Sequence, residues 1–130
     1  MNTEKTAAKT INQIRDLPSE FTPWGTVRSK VLDTLFELSP ENLYDYSVET
    51  GTGRTTLLLS HLSKKHIVFS LTTFEQLGNV QESNLLDRSV VTFVEGPTQR
   101  TVPQFQFEQK IDFALLDGPH AYPFPEIEYF

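Results

Sequence analysis

Residues 48–56 read VETGTGRTT, and this stretch joins a predicted strand to a predicted helix. Gly51 and Gly53 form the turn between the two elements, where the missing Cβ lets the backbone approach a ligand closely. The start of the helix adds free N–H groups and a positive dipole end, which suit an anionic group. Glu49 ends the strand and can bind a ligand amine. The turn is therefore a predicted ligand-binding site.

Strands and helices alternate along the chain around this turn. Predicted strands cover residues 43–49, 66–71, 89–95 and 111–116, and predicted helices cover residues 55–62 and 73–86. Five of the eight prolines lie between residues 97 and 125, so a loop is predicted to join the last two strands. This alternation predicts an α/β fold in which helices cover the faces of a parallel sheet. Ligands bind such sheets beyond the carboxyl ends of the strands.

Two further helices are predicted ahead of the first strand. Residues 3–16 form a polar helix with a thin apolar stripe at Ala7, Ile11 and Ile14. Residues 26–38 form an amphipathic helix. Its apolar residues at helical spacing are Val27, Val31, Leu32, Leu35, Phe36 and Leu38.

The composition of the chain excludes several classes of protein. It has 130 residues, no cysteine and a formal net charge of −6. A disulfide, a thiolate nucleophile and a Cys-ligated zinc site are therefore impossible. Residues 66–130 hold three Lys or Arg against nine Asp or Glu, which accounts for the whole charge and argues against a nucleic-acid partner. No apolar run approaches the roughly 20 residues of a membrane span, and residues 1–10 lack the apolar core of a signal peptide. We therefore expect a cytoplasmic protein without membrane contact.

A second candidate site follows the last predicted strand, where residues 117–122 read DGPHAY. Asp117 lies at the carboxyl end of that strand, where it can contact a cofactor, a substrate proton or a metal. His120 is a candidate general base, because histidine exchanges protons near neutral pH. In the alternative interpretation, Asp117 caps the next turn and His120 bonds the backbone. Asp117 and His120 would supply only two metal ligands, while His61 and His66 are expected to be structural, so we predict no metal site.

These two motifs resemble those of the class I S-adenosylmethionine-dependent methyltransferases. The pattern Glu49-x-Gly51-x-Gly53 is similar to their first motif, and residues 117–122 resemble the Asp-Gly-x-His-x-Tyr segment of a small-molecule subgroup. The resemblance implies that Glu49 binds the methionine amine of S-adenosylmethionine and that the two glycines make room for the methionine part. It implies that Tyr122 contacts a small-molecule methyl acceptor. It also implies a Rossmann-like three-layer α/β/α fold with strand order 3-2-1-4.

Two positions depart from the pattern of this family. Thr72 stands where an acidic residue usually binds the ribose hydroxyls, and residues 96–98 read Gly-Pro-Thr where Gly-Asp often lies near the adenine. A hydroxyl lacks the charged, bidentate contact that a carboxylate provides. The resemblance still implies that Thr72, Gly96, Thr98 and Asp117 lie at the cofactor site. The departures favour an alternative, a non-catalytic Rossmann-like binding or assembly module.

Two other nucleotide-binding folds share parts of the glycine turn. A P-loop needs Gly at position 48 and Lys at position 54, where this chain has Val48 and Arg54. A dinucleotide-binding turn needs a third glycine at position 56, where this chain has Thr56. Each alternative therefore lacks residues that define it.

The number of predicted strands bears on the domain organisation. A complete domain of the resembled family has seven strands, and four are predicted here. We therefore expect residues 43–130 to be the cofactor-binding half of a truncated domain, with residues 1–42 as an N-terminal helical extension. The fourth strand would form an open edge, which a second copy of the chain or another partner can cover.

Overall fold

The computed structural model describes residues 10–17, 29–39, 43–70 and 75–116. Within these ranges the chain forms five helices and four strands. In chain order they are α1 (residues 10–15), α2 (Ser29–Leu38), β1 (Ser47–Thr50), α3 (Arg54–Leu62), β2 (His66–Ser70), α4 (Glu75–Glu82), β3 (Val91–Glu95), α5 (Thr98–Gln104) and β4 (Phe113–Leu116). None of these helices combines the length and the apolar character that crossing a bilayer requires.

The four strands form one parallel sheet in the order β3-β2-β1-β4. Ser47 of β1 is in register with His66 of β2 and with Phe113 of β4. This arrangement confirms the predicted α/β fold and its strand order. Because all four strands run the same way, their carboxyl ends meet at one edge of the sheet. The glycine turn, which follows β1, lies at the centre of that edge.

Burial differs between the central and the outer strands. Every residue of β1 and β2 is buried, as expected for parallel strands covered on both faces. The outer strands β3 and β4 contain no buried residue, and Leu116 at the end of β4 is 40% exposed. Among the described residues, no strand pairs with the outer side of β4.

Two apolar clusters pack on the two faces of the sheet. One joins α1, α2, α3 and α4; its most buried members include Ile14, Leu32, Leu57, Leu58, Leu59 and Val80. The other covers Tyr46, Val48, Ile67 and Phe69 with side chains from α5 and the segment after it. Phe105 in that segment meets the Phe69 ring edge-on, with ring centroids 5.3 Å apart. Helices therefore cover both faces, which makes three layers.

The connection between β3 and β4 corrects one prediction. A loop was expected there because prolines are frequent, but residues 98–104 form helix α5. Pro97 stands at the N-cap with φ −63°, where its ring is compatible with helix entry, and its carbonyl accepts from the N–H of Arg100. Pro103 lies in the last turn, so its missing N–H removes only one helical hydrogen bond. Proline at the two ends of a short helix limits its length without preventing it.

The first strand begins later than the sequence predicts. Residues 43–46 were expected to belong to it, but the continuous pairing of β1 starts at Ser47, and Tyr44 forms only an isolated parallel bridge with Ser63. The side chain of Asp112 accepts the N–H of Asp45 at 2.9 Å and that of Tyr46 at 3.0 Å. These two groups are therefore withdrawn from strand pairing, and the same contacts tie the entrance of β4 to the entrance of β1.

The buried side of the predicted amphipathic helix is narrower than expected. In α2, Leu32 and Leu35 are buried and Phe36 packs beside them. Val31 and Leu38, which share the predicted helical spacing, are 41% and 66% exposed. Position 27 lies outside the described residues. The apolar contact of α2 therefore involves only a narrow stripe.

Candidate functional site

The two glycines of the turn after β1, Gly51 and Gly53, have different backbone conformations. Gly51 has φ +87°, a conformation that residues with a Cβ rarely adopt. Its N–H donates to the carbonyl of Phe69 at 2.8 Å, which holds the turn against β2. Gly53 has an extended backbone, with φ 179°, that any residue can adopt. The conformational need for glycine in this turn therefore lies at Gly51.

Glu49 lies at the start of this turn and is 1% exposed. Its carboxylate accepts three hydrogen bonds from side chains of the fold. Thr55 Oγ1 donates to Oε2, Thr56 Oγ1 donates to Oε1 at 2.7 Å, and His66 Nε2 lies 3.0 Å from Oε1. The carboxylate is therefore held in one position by α3 and β2.

Thr56 also connects Glu49 to the second glycine. The Gly53 N–H donates to Thr56 Oγ1 at 3.2 Å, and the Thr56 N–H donates to the Gly53 carbonyl at 3.0 Å. A glycine at position 56, as a dinucleotide-binding turn requires, would remove the hydroxyl that joins these groups. Thr56 thus links Gly53 to Glu49, a contact that the glycine of a dinucleotide-binding turn could not make.

The sequence predicts a structural role for both described histidines, and both have internal partners. His61 Nε2 lies 2.6 Å from the carbonyl of Leu85. His66 is fully buried, with Nδ1 2.7 Å from Ser47 Oγ and Nε2 on Glu49. Its contact with a candidate site residue was not predicted. Nothing local indicates it, because the two residues are 17 positions apart and meet only through the pairing of β1 with β2.

Arg54 occupies the position of the P-loop lysine and is buried. Its Nη1 donates to the Ile14 carbonyl at 2.7 Å and its Nη2 to the Leu17 carbonyl at 3.0 Å. Burial lowers the pKa of this guanidinium. A P-loop cation must reach the phosphates of its ligand. Because Arg54 instead binds carbonyl groups at the end of α1, its geometry does not favour the nucleotide triphosphatase alternative.

The end of β3 brings two further candidate residues, Gly96 and Thr98, to the same edge. Gly96 has φ +138°, and its N–H donates to the Ser70 carbonyl at 2.8 Å. A Cβ at Gly96 would lie 3.0 Å from Thr101 Cγ2, so a side chain there is crowded as well as strained. Thr98 is buried at the first turn of α5. Gly51 therefore follows β1 and Gly96 and Thr98 follow β3, on either side of β2 at one edge of the sheet.

Ser70 is a residue of this edge that the sequence did not single out. It is 1% exposed, and its hydroxyl has no hydrogen-bond partner within the described ranges. A buried hydroxyl without a partner is costly, so such groups often mark the position of a ligand or a water. Only the three-dimensional structure reveals it, because a serine at a strand end is unremarkable in sequence.

Four of the candidate residues, Thr72, Asp117, His120 and Tyr122, lie outside the described residues. Their roles remain predictions. In the part of the chain that the structure does describe, no group of three or more His, Asp or Glu side chains is arranged to hold a metal ion.

Comparison with protein families extends these observations to the region after β4. A family model described as a methyltransferase domain matches residues 48–129, well over half of the chain. The chain belongs to this methyltransferase domain family. No curated protein matches the chain at a significant level.

The matched range of the methyltransferase domain begins inside β1, one residue before Glu49. It therefore includes the glycine turn, all later strands and the segment that carries Asp117, His120 and Tyr122. Helices α1 and α2 precede the match, although they pack into the same apolar cluster as α3. Membership of the family implies that the domain uses a methyl donor.

Proposed function

We propose that this methyltransferase domain transfers a methyl group from S-adenosylmethionine to a small molecule. One observation carries the proposal most directly. A buried carboxylate, Glu49, is held beside the left-handed Gly51 at the carboxyl end of the central strand. This edge is where parallel α/β sheets bind ligands, and an acidic side chain there suits the ammonium group of an amino acid.

The described residues fit such a donor in two further respects. The first turn of α3 begins at Arg54, directly after the two glycines, so its N–H groups suit the donor carboxylate. The buried Ser70 hydroxyl at the end of β2 provides a hydrogen-bonding group for a polar part of the ligand. S-adenosylmethionine, when bound, supplies a methyl group on a positively charged sulfur.

The residues after β4 are proposed to serve the acceptor. Methyl transfer is an in-line displacement: the acceptor atom bonds the methyl carbon as the bond to sulfur breaks, and the acceptor gives up a proton. We assign that proton to His120, with Asp117 beside the cofactor and Tyr122 against the acceptor. The acidic second half of the chain, with three Lys or Arg against nine Asp or Glu, favours a small acceptor over a nucleic acid.

Calorimetry with S-adenosylhomocysteine, the product of the donor, tests the binding site. The full chain should bind it with a dissociation constant in the range of about 1 µM to 1 mM that is typical for enzyme substrates. Gly51→Val should abolish binding, because a branched residue does not adopt φ +87°. Gly78→Ala is the matched control, since a Cβ at this helical glycine meets nothing within 4 Å. Absence of binding at millimolar ligand, or tight binding of ATP instead, would contradict the proposal.

Transfer of a labelled methyl group from S-adenosylmethionine to a pool of small metabolites tests the catalytic step. His120→Ala should lower transfer while leaving the affinity for S-adenosylhomocysteine unchanged, because the base acts on the acceptor. Donor binding without transfer to any acceptor would support the alternative of a non-catalytic binding module.

We also propose that the protein acts in the cytoplasm and that its β4 edge is covered by a second copy of the chain. The pairing of two copies is supported by β4, which contains no buried residue and ends in the exposed Leu116. A homodimer in sedimentation analysis that dissociates on Leu116→Lys is the expected result, whereas a monomer at all concentrations would refute this pairing.

A further inference from the structure

A network of five buried polar side chains runs beneath α3 from its C-terminal end to the glycine turn. In order of contact its members are Ser63, Ser47, His66, Glu49 and Thr56, and each is at most 1% exposed. The surrounding cluster on this face is apolar. Buried polar groups are costly unless all are hydrogen-bonded, so a continuous network in this position calls for an explanation beyond folding.

The chemistry of the groups sets the direction of the hydrogen bonds. An ionised carboxylate only accepts, so the His66 Nε2–H donates to Glu49. In the neutral imidazole Nδ1 then accepts from the Ser47 hydroxyl, 2.7 Å away, while the Lys65 carbonyl lies farther from that hydroxyl, at 3.3 Å. Ser63 Oγ, 2.6 Å from Ser47 Oγ, donates to it in turn. The Glu49 carboxylate thus selects the tautomer in which His66 donates to it, and the Ser47 hydroxyl complements that tautomer by donating to Nδ1.

The donors around Glu49 leave one acceptor position. A carboxylate has about four lone-pair sites. Thr56 and His66 take two of them on Oε1, and Thr55 takes one on Oε2. The remaining site on Oε2 is the one that an ammonium group can use. Because both oxygens are held by donors, this site has a fixed direction.

We propose that His66 is a positioning residue for the methyl donor: it orients the Glu49 carboxylate so that the remaining site on Oε2 receives the donor's amino group. This inference rests on the proposed function and deepens it. His66 acts through Glu49 and does not itself touch the ligand. Leucine at position 66 would fill the space but leave Glu49 with one donor fewer and a less defined orientation.

Two ligands separate this role from a merely structural one. S-adenosylhomocysteine has the amino-acid part that Glu49 is proposed to bind, whereas 5′-methylthioadenosine has the same nucleoside without it. His66→Leu should weaken S-adenosylhomocysteine about tenfold, the typical effect of one hydrogen bond to a charged group. It should leave 5′-methylthioadenosine within about twofold of wild type. His66→Gln, which can still donate to Glu49 and accept from Ser47, should restore most of the lost affinity.

A double-mutant cycle with Glu49→Gln tests whether His66 acts through the carboxylate. Glu49→Gln alone should also weaken only S-adenosylhomocysteine. In the Glu49→Gln background, His66→Leu should have no further effect on that ligand, because the oriented group is already absent. Equal loss for both ligands in His66→Leu, or additive losses in the cycle, would overturn the inference.

Each failure can be assigned to one proposal. If the wild-type chain binds neither ligand, both the proposed function and this inference are wrong. If it binds S-adenosylhomocysteine and His66→Leu binds it equally well, only the inference is wrong. Circular dichroism checks that each variant is folded. Should His66→Leu not fold, Ser47→Ala carries the test: it removes only one hydroxyl from the network, and it must weaken S-adenosylhomocysteine more than 5′-methylthioadenosine.

Discussion

Replacing Arg54 by methionine should destabilise the protein, because its guanidinium joins α3 to the end of α1. The side chain donates two hydrogen bonds, to the carbonyls of Ile14 and Leu17. Bonds from a charged donor contribute about 1.5–3 kcal/mol each, so their gross loss is about 3–6 kcal/mol. Methionine retains much of the packing and removes the cost of burying a charge, which offsets part of that loss. We expect a net decrease in the free energy of unfolding of about 1–3 kcal/mol.

Thermal and urea unfolding, followed by circular dichroism, measure this change. With an unfolding entropy of about 2.1 cal/mol/K per residue, the expected loss lowers Tm by roughly 4–11 °C. Arg100→Met, at an exposed position on α5, is the matched control and should change stability by less than about 0.5 kcal/mol. Arg54→Lys should be intermediate, because one ammonium does not span two carbonyls as a guanidinium does. Unchanged stability of Arg54→Met together with loss of ATP binding would refute the reasoning and favour a P-loop.

Three further predictions concern backbone conformation, alkaline pH and the entrance to the sheet. Gly78→Ala should raise the free energy of unfolding by about 0.5–1 kcal/mol, because Gly78 lies in a helix with open space around it. Gly96→Ala should lower the free energy of unfolding by at least about 1 kcal/mol, because Gly96 has a positive φ and lies close to Thr101. Urea denaturation in which both variants change stability in the same direction would contradict this prediction. Burial first, and the charge of Asp112 second, raise the pKa of Tyr44, so the folded state holds the phenol proton more tightly than the unfolded chain. This stabilisation is complete below about pH 10 and is lost as the pH rises through the folded-state pKa, so stability should fall more steeply above that pH in wild type than in Tyr44→Phe. Asp112→Ala should cost about 1–3 kcal/mol in chemical denaturation by leaving two backbone N–H groups without their acceptor, while Asp112→Asn, which retains one acceptor oxygen, should cost less.

The parts of the fold that the sequence predicted are those with local signals. β1 follows from partly alternating apolar and polar residues, β2 from a short apolar run, and α3 from its leucine spacing after the glycine turn. The resemblance in residues 48–56 then supplied the strand order, which the structure confirms. Helix α5 was missed because proline frequency is a weak signal when the prolines stand at helix ends.

The candidate site was predicted less completely than the fold. Glu49, Gly51 and Gly53 were singled out because their spacing is a recognisable pattern, and the structure shows that only the first glycine has a positive φ. Ser70 and His66 were not assigned to the site. A serine and a histidine in a strand carry no pattern that distinguishes a site residue from a core residue.

The sequence by itself determined that this chain alternates strands and helices and carries an acidic residue and glycines at a strand end. Those features are set by side-chain periodicity and turn chemistry, which act over a few residues. Only the tertiary structure decided that the Glu49 carboxylate is held by Thr55, Thr56 and His66, and that Arg54 binds α1 instead of a phosphate. The reason is physical. A buried polar group must find its partners wherever strand register and helix packing place them, and those partners lie 6 to 40 residues away along the chain.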